Sequence, residues 1–539
     1  AASDVYKRQA QLDFEGELSD PRLIDRFTGE SGIKVPAFRI EGNAEASNQT
    51  YGADFRFTST AGNAEGRGKV SLNSEHYDAD VSVERLDVAH FMPTLGIGSV
   101  TASVKAEGAG FNPLSGKSTT DARIYINSIE YNKKLLSDIR ADIRLERDGI
   151  FDLQAVSPNP GLDFDIEGSG IIHKDDYTFD LMARLRDIDL RALGLSPDMS
   201  NGKGTIYLKG TASPERWLYS ADLKLDDFDW NLPNQYIHLP GGMTARIDAE
   251  ENSTRLTVDS YMTSLDFDSP AGLEHLVDAF GEAAAVAGRQ VEARNLTVDS
   301  ISNLLPPFRL GMSASGRGLL SQFLVPAGMN VDTIYGSLSK DSLFHGAIGA
   351  HRFTTGSLTL DTIAFSLAER GKLLDYRLHV GNRPGTLDEF AQVGIRGYVG
   401  GNRAGMFLTQ KNVKGETGYR LGLTAAMRDS TVSLHFTPLE STIAYLPWTL
   451  NDDNYIDFNF NNLKVDANLL ARSAESSILL RTEPTEEGSD RMHLKLDNIR
   501  IQDFLSMSVF APPVTGSINS DINLSYNGRV LRGRGTLGV

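Results

Sequence analysis

Apolar and polar residues alternate along most of this chain, and the alternation breaks repeatedly in one way. The pattern is apolar–x–apolar, two mostly polar residues, then apolar–x–apolar, and it occurs eight times. Its apolar positions are Val81, Val83, Leu86 and Val88; Ile124, Ile126, Ile129 and Tyr131; Ala183, Leu185, Ile188 and Leu190; and Leu223, Leu225, Phe228 and Trp230. The other four copies are Val291, Ala293, Leu296 and Val298; Leu358, Leu360, Ile363 and Phe365; Phe458, Phe460, Leu463 and Val465; and Leu494, Leu496, Ile499 and Ile501. Period-two alternation predicts a strand with one apolar face, and a step of three would throw the second pair onto the opposite face. One inserted residue, a β-bulge, restores the face and bends the strand. The middle dipeptide holds Asn or Asp in seven of the eight copies, and these residues tolerate the backbone conformations a bulge needs. A two-residue hairpin turn is the competing reading, and the scarcity of Gly in these dipeptides favours the bulge.

The copies fall into a longer period of about a hundred residues, several strands per unit. Leu86, Ile188 and Leu296 are each followed 22 residues later by a glycine, namely Gly108, Gly210 and Gly318. One segment breaks the β pattern. In "SPAGLEHLVDAFGEAAAVAGRQ", Ser269 reads as an N-cap, Pro270 as first turn and Gly288 as a stop. Leu273, Leu276, Val277, Phe280 and Ala284 then share one helical face, predicting an amphipathic helix from Ala271 to Arg289. Such a helix either closes an edge of the sheet or acts as a lid over a ligand surface. The expected fold is mainly β, a long and strongly bent antiparallel sheet with one short helical insertion.

The chain has 539 residues, a net charge of −18 and no Cys. The acidic balance argues against a nucleic-acid partner, and the absence of thiols fits an envelope compartment without implying one. No apolar run approaches the ~18 residues a membrane helix needs. The opening "AASDVYKRQ" resembles a translated sequencing-adapter scar, so residues 1–9 are set apart from fold reasoning, and the whole reads as an internal piece of a longer protein. "GFNPLSGKST" (Gly110–Thr119) nearly matches a phosphate-binding loop, but its spacing is one residue too long and a strand pattern follows it. The ten His are scattered, with no HExxH. "NDDNYIDFNFNN" (Asn451–Asn462) lacks the Gly of a calcium loop and reads as a turn. No catalytic residue, cofactor or metal ligand is assigned, and an enzyme is the least supported reading.

Three stretches carry a family resemblance: "AEGAGFNPLSGKSTTDARIYINSIEYN" (Ala106–Asn132), "RLHVGNRPGTLDEFAQVGIRGYV" (Arg377–Val399) and "STIAYLPWTLNDDNYI" (Ser441–Ile456). The chain resembles the AsmA/TamB superfamily, the repeating-β-groove proteins of bacterial envelopes, in its Bacteroidota form. The resemblance implies a taco-like sheet in the periplasm whose concave apolar face carries phospholipid acyl chains between inner and outer membranes. It also implies an inner-membrane anchor and an outer-membrane β-barrel partner, each engaged by segments outside this sequence. The expected organisation is groove repeats over 10–268, the helix over 269–290, and groove repeats over 291–539. Candidate lipid-facing positions are Val81, Val83, Leu86, Val88, Ile124, Ile126, Ile129, Ile188, Leu190, Leu225, Phe228, Leu296, Val298, Ile363, Phe365, Leu463 and Ile499. Alternatives are a factor assisting assembly of outer-membrane proteins, and a structural β-sandwich array such as an adhesin stalk. The lack of Pro/Ser-rich linkers between copies favours a continuous sheet over an array.

Overall fold

The structure, a computed structural model, describes residues 9–20, 35–196, 200–232, 235–239, 241–356, 358–382, 392–438, 441–484, 490–502, 514–526 and 531–538. Residues 383–391, most of "GNRPGTLDEF", and residues 1–8 lie outside them. The fold is mainly β and antiparallel, as the alternation predicts. The chain divides into two units, Ala1–Tyr261 and Met262–Val539. Among the described residues, the first holds sixteen strands, from Gln9–Leu18 to Ser253–Ser260. The second holds nineteen, from Thr263–Ser269 to Leu531–Gly538. Most strands pair with their neighbours in sequence, so each unit is built chiefly from successive hairpins.

Five of the eight broken strands are bulged. The register shifts by one residue between Val83 and Leu86, between Ile126 and Ser128, and between Leu185 and Ile188. It shifts likewise in Leu218–Leu232, between Asp226 and Asp229, and in Asp490–Arg500, between Leu496 and Ile499. In three of the five, the second residue of the dipeptide takes the left-handed conformation: Arg85 (φ 46°), Asp227 (φ 48°) and Asn498 (φ 51°). The bulge keeps the face. Val81, Val83 and Leu86 oppose Val104, Ala102 and Val100, alternate residues of the strand Ile97–Ala109. Those three in turn oppose Ile124, Ile126 and Ile129. Residues directly opposite share a face, so the apolar residues before and after these two bulges point the same way.

The other three copies differ. At Leu358–Phe365 the register does not shift, because Arg352 (φ 51°) on the preceding strand bulges opposite Asp361. Phe458–Val465 is a hairpin: Asn459 pairs with Lys464, and the four residues between them form the turn. Asn459 stabilises it, its side-chain oxygen accepting from the backbone N–H of Asn461 at 3.0 Å and of Asn462 at 3.3 Å. Val291–Val298 is no strand at all. The helix runs Leu273–Glu292, past Gly288, and a second short helix begins at Val298. Gly288 does not stop it because the next three residues, Arg289, Gln290 and Val291, continue the helix without strain, and no left-handed residue occurs before Arg294. Ser269 is not the N-cap. Its hydroxyl donates to the carbonyl of Pro307 at 2.7 Å, and Gly272 takes the cap position.

The helix packs through a stripe one step from the expected one. Leu276, Ala279 and Ala283 are buried, whereas Val277 and Phe280 are exposed at its flank. Ala283 joins Leu305 and Phe308 in a small core, with Phe267, Leu338 and Phe344 against it, and Phe280 meets the Phe308 ring edge-on at 5.2 Å. Phe267, Phe308, Leu338 and Phe344 lie toward one end of adjacent strands, so the helix covers an end of the second unit's sheet.

The bulges need partners for the N–H groups they release, and neighbouring polar residues supply them. Asn159, buried, accepts from the Ser137 N–H and donates to the Ser137 carbonyl, both at 2.7 Å. Thr101, Asn382 and Asn519 likewise accept from the N–H groups of Arg85, Asp361 and Asn498. Replacing Asn159 by Ala leaves a backbone donor and acceptor unpaired, at a cost of roughly 1–3 kcal/mol, read as a lowered urea midpoint. Leu276→Ala is expected to cost about 2–5 kcal/mol and to speed hydrogen exchange in the helix. Val277→Ala, on the exposed flank, should change stability by no more than about 0.5 kcal/mol.

Candidate functional site: an uncovered apolar sheet face

In the first unit, direct cross-strand partners line up into rows that cross the sheet. One row starts Phe14–Gly42–Phe55–Gly66–Val81–Val104–Ile124. It continues Ala141–Ala155–Ile166–Ala183–Ile206–Leu225–Met243. Every member is apolar or glycine. The row two residues along, from Leu12 through Ala106, Ile143, Leu153, Leu181, Leu208 and Leu223 to Val258, obeys the same rule in fifteen strands. Its neighbour on the other face runs from Gln11 through Lys69, Asp78, Glu107, Asp121, Arg144, Asp152, Asp180, Lys209 and Asp222 to Arg246 and Thr257. One face is therefore hydrocarbon and the other ionic.

Glycines flatten the apolar face. A Cβ at Gly42 would lie 2.7 Å from the ring of Phe14, and one at Gly202 would lie 2.4 Å from the ring of Trp230. These aromatic rings occupy the space that side chains at the two glycines would fill.

No side chain of the two apolar rows is buried. A sandwich would seal these positions under a second sheet. Instead Leu12, Ala53, Val104 and Ile143 are exposed, the other side chains are half-buried, and only a glycine, Gly168, is buried. Among the described residues of the first unit, no helix exceeds four residues, so none covers the face. The charged face is laced with exposed ion pairs such as Lys209–Asp180 (2.8 Å) and Arg56–Glu65 (3.4 Å). A cleft of about 650 Å³ opens on that side among Asp13, Asp54, Arg56, Glu65, Arg67 and Asp80. It is a gap between long paired side chains, whereas the apolar face is an open strip.

The second unit repeats the arrangement. Phe267–Leu310–Leu338–Gly346–Leu367 continues through Tyr376–Gly397–Met406–Leu423–Phe436. The adjacent row includes Phe365 with Ile348, Leu378, Ile395 and Leu408. The helix Leu273–Glu292 covers the Phe267 end.

Of the candidate positions, Val81, Val83, Leu86, Ile124, Ile126, Ile129 and Leu225 stand on the first unit's apolar face, and Ile363 and Phe365 on the second unit's. Phe228 is half-buried and stacks on Trp230 at 5.7 Å. The others are corrected. Ile188 faces the same side but is buried, opposite Leu162 and Gly202. Val88 begins a helical turn and Leu190 lies in a turn, each beyond the end of its strand. Leu296 makes an isolated bridge to Gly401, and Val298 is buried in the short helix Val298–Ser302. Leu463 is exposed in the hairpin turn, and Ile499 is buried with Trp448 and Ala471. Sequence reasoning missed the glycine and alanine members of the rows, because small residues in single strands give no sign that they line up.

One ionic cluster ties down a short strand. Asp229 is buried, with Lys203 Nζ at 3.1 Å and His238 Nδ1 in hydrogen-bond contact. Burial pushes its carboxyl up, but hydrogen bonds with His238, Tyr236 and Lys203 outweigh burial and leave it below the usual carboxylate range. The clamp holds Gln235–His238 on Leu218–Leu232. A lowered folded-state pKa stabilises the protein above the unfolded value of ~3.9, and the contribution fades as pH falls through the folded value. The melting temperature of Asp229→Asn should accordingly lie below that of the parent at pH 7, and the gap should close as the pH drops below ~4. A gap that is constant with pH would contradict the clamp.

No protein-family model, no curated protein and no solved structure matches this chain.

Proposed function

We propose that this chain is a non-enzymatic envelope protein whose apolar sheet face carries phospholipid acyl chains between the inner and outer membranes. The observation that supports the reading is the pair of unbroken apolar rows, left half-exposed and backed by an ionic face. A sheet face of this kind must be covered by something. Acyl chains demand area and no directional contacts. Burial is worth about 0.8 kcal/mol per methylene, so half-covering a sixteen-carbon tail would gain on the order of 6 kcal/mol. That is enough to hold a lipid and weak enough to let it move. The glycine-flattened surface offers few side-chain obstacles to sliding.

The experiment is photo-crosslinking of the full chain in a bacterial envelope. A photoreactive residue at Val104 or Ile124 should label phospholipid, and one at Lys105 or Arg123 on the opposite face should not. Ile124→Asp places an unpaired charge against hydrocarbon. It should reduce lipid labelling at Val104 at least tenfold while leaving the β circular dichroism unchanged. Labelling of polypeptide in place of lipid from the apolar face would favour the outer-membrane assembly role. Absence of any lipid adduct would overturn the reading.

A further inference from the structure

At the bulged end of the first unit, loop tips from separate hairpins are tied together. Three segments meet there: 88–96, 131–135 and 189–196. Asn132 joins them. Its backbone N–H donates to the carbonyl of Gly96 and its side-chain amide to the carbonyl of Leu193, each at 2.8 Å. Gly194 allows the close approach, since a Cβ there would lie 2.7 Å from the Asn132 amide nitrogen, and its φ of 71° suits glycine. The loops thus form one fastened surface.

That surface presents large apolar side chains outward. Leu135 is 71% exposed, Leu195 65%, Leu95 49% and Met92 46%. None belongs to the apolar rows, and Leu135 points away from Leu136, which is buried at 3%. Exposed Lys133 and Arg191 lie in the same segments, which hold one carboxylate, Asp189. In this acidic chain, the turns at the opposite end also expose Leu72, Phe111 and Leu114, but there carboxylates such as Asp148, Asp175, Asp176, Glu250 and Glu251 outnumber the cations Lys117, Arg147, Lys174 and Arg216. Apolar tips flanked by basic side chains match the layering of an anionic bilayer surface, where hydrocarbon lies beneath phosphate. Separate protruding leucines also suit a fluid surface better than a rigid partner, which would need complementary pockets.

We propose that these loop tips dock the first unit onto an anionic lipid bilayer, with Leu95, Leu135 and Leu195 entering the headgroup boundary and Lys133 and Arg191 meeting phosphates. This docking does not depend on whether the apolar rows carry lipid.

The test is co-sedimentation of the full chain with vesicles of phosphatidylcholine and phosphatidylglycerol, against vesicles of phosphatidylcholine alone. Binding should require phosphatidylglycerol and weaken with salt. Lys133→Gln and Arg191→Gln should each weaken it about fivefold. The double variant Leu95→Asp, Leu195→Asp should weaken it more than tenfold. Circular dichroism should match the parent in each case. Phe111→Asp, at the other end of the strands, should have no effect. Equal binding to neutral vesicles, equal loss in Phe111→Asp, or no vesicle binding at all would overturn the proposal. So would self-association of the parent that the leucine variants abolish, because it would make the tips a contact between copies.

Discussion

An antiparallel sheet holds each side chain on its face by a strict two-residue period, and a slip of one residue exchanges the faces. Here that exchange would put Arg144 where Ile143 stands and Asp222 where Leu223 stands, strand after strand. Every bend must therefore be made without losing the face. The extra residue between Val83 and Leu86, or between Leu185 and Ile188, bends the strand and keeps its apolar side chains with their neighbours. The bulges occur at a common level: Val83, Ala102 and Ile126 lie on one side of them, Leu86, Val100 and Ile129 on the other. The polar side chains of Asn159 and Thr101 plug the backbone gaps this creates. What survives is a face long enough to matter and too exposed to be an ordinary core.

The helix Leu273–Glu292 shows the same constraint from the other side. Where the second unit's apolar face reaches its Phe267 end, the chain covers it with Leu276, Ala279 and Ala283. Among the described residues of the first unit, no element covers its rows in this way. The contrast supports a surface kept open for a ligand, and hydrocarbon is the ligand that asks nothing of the surface but area.

Much of this was legible in the sequence. The β class, the bulges at Glu84-Arg85, Arg186-Asp187 and Asp226-Asp227, and the helical insertion follow from periodicity alone. The errors have physical causes. Phe458–Val465 fits the bulge pattern, but Asn459, Asn461 and Asn462 form a turn that a two-letter apolar–polar code cannot distinguish. Val291 and Ala293 alternate like a strand, yet the helix preceding them simply runs on to Glu292. Ile188 and Ile499 keep their expected face but are buried, because local loops and neighbouring side chains pack there, and single-strand patterns carry no such information. The rows themselves were invisible. Alignment of Gly42 with Phe14 and Phe55 is a property of register, which no single strand encodes.

The central claim is that the apolar rows are a lipid surface. Native mass spectrometry of the full chain, purified from a bacterial envelope without delipidation, tests it most directly. Phospholipid-sized mass increments should accompany the parent and disappear from a variant carrying Ile124→Asp and Ile206→Asp, with β content unchanged. A parent that carries no lipid, or a variant that carries as much as the parent, would contradict the account.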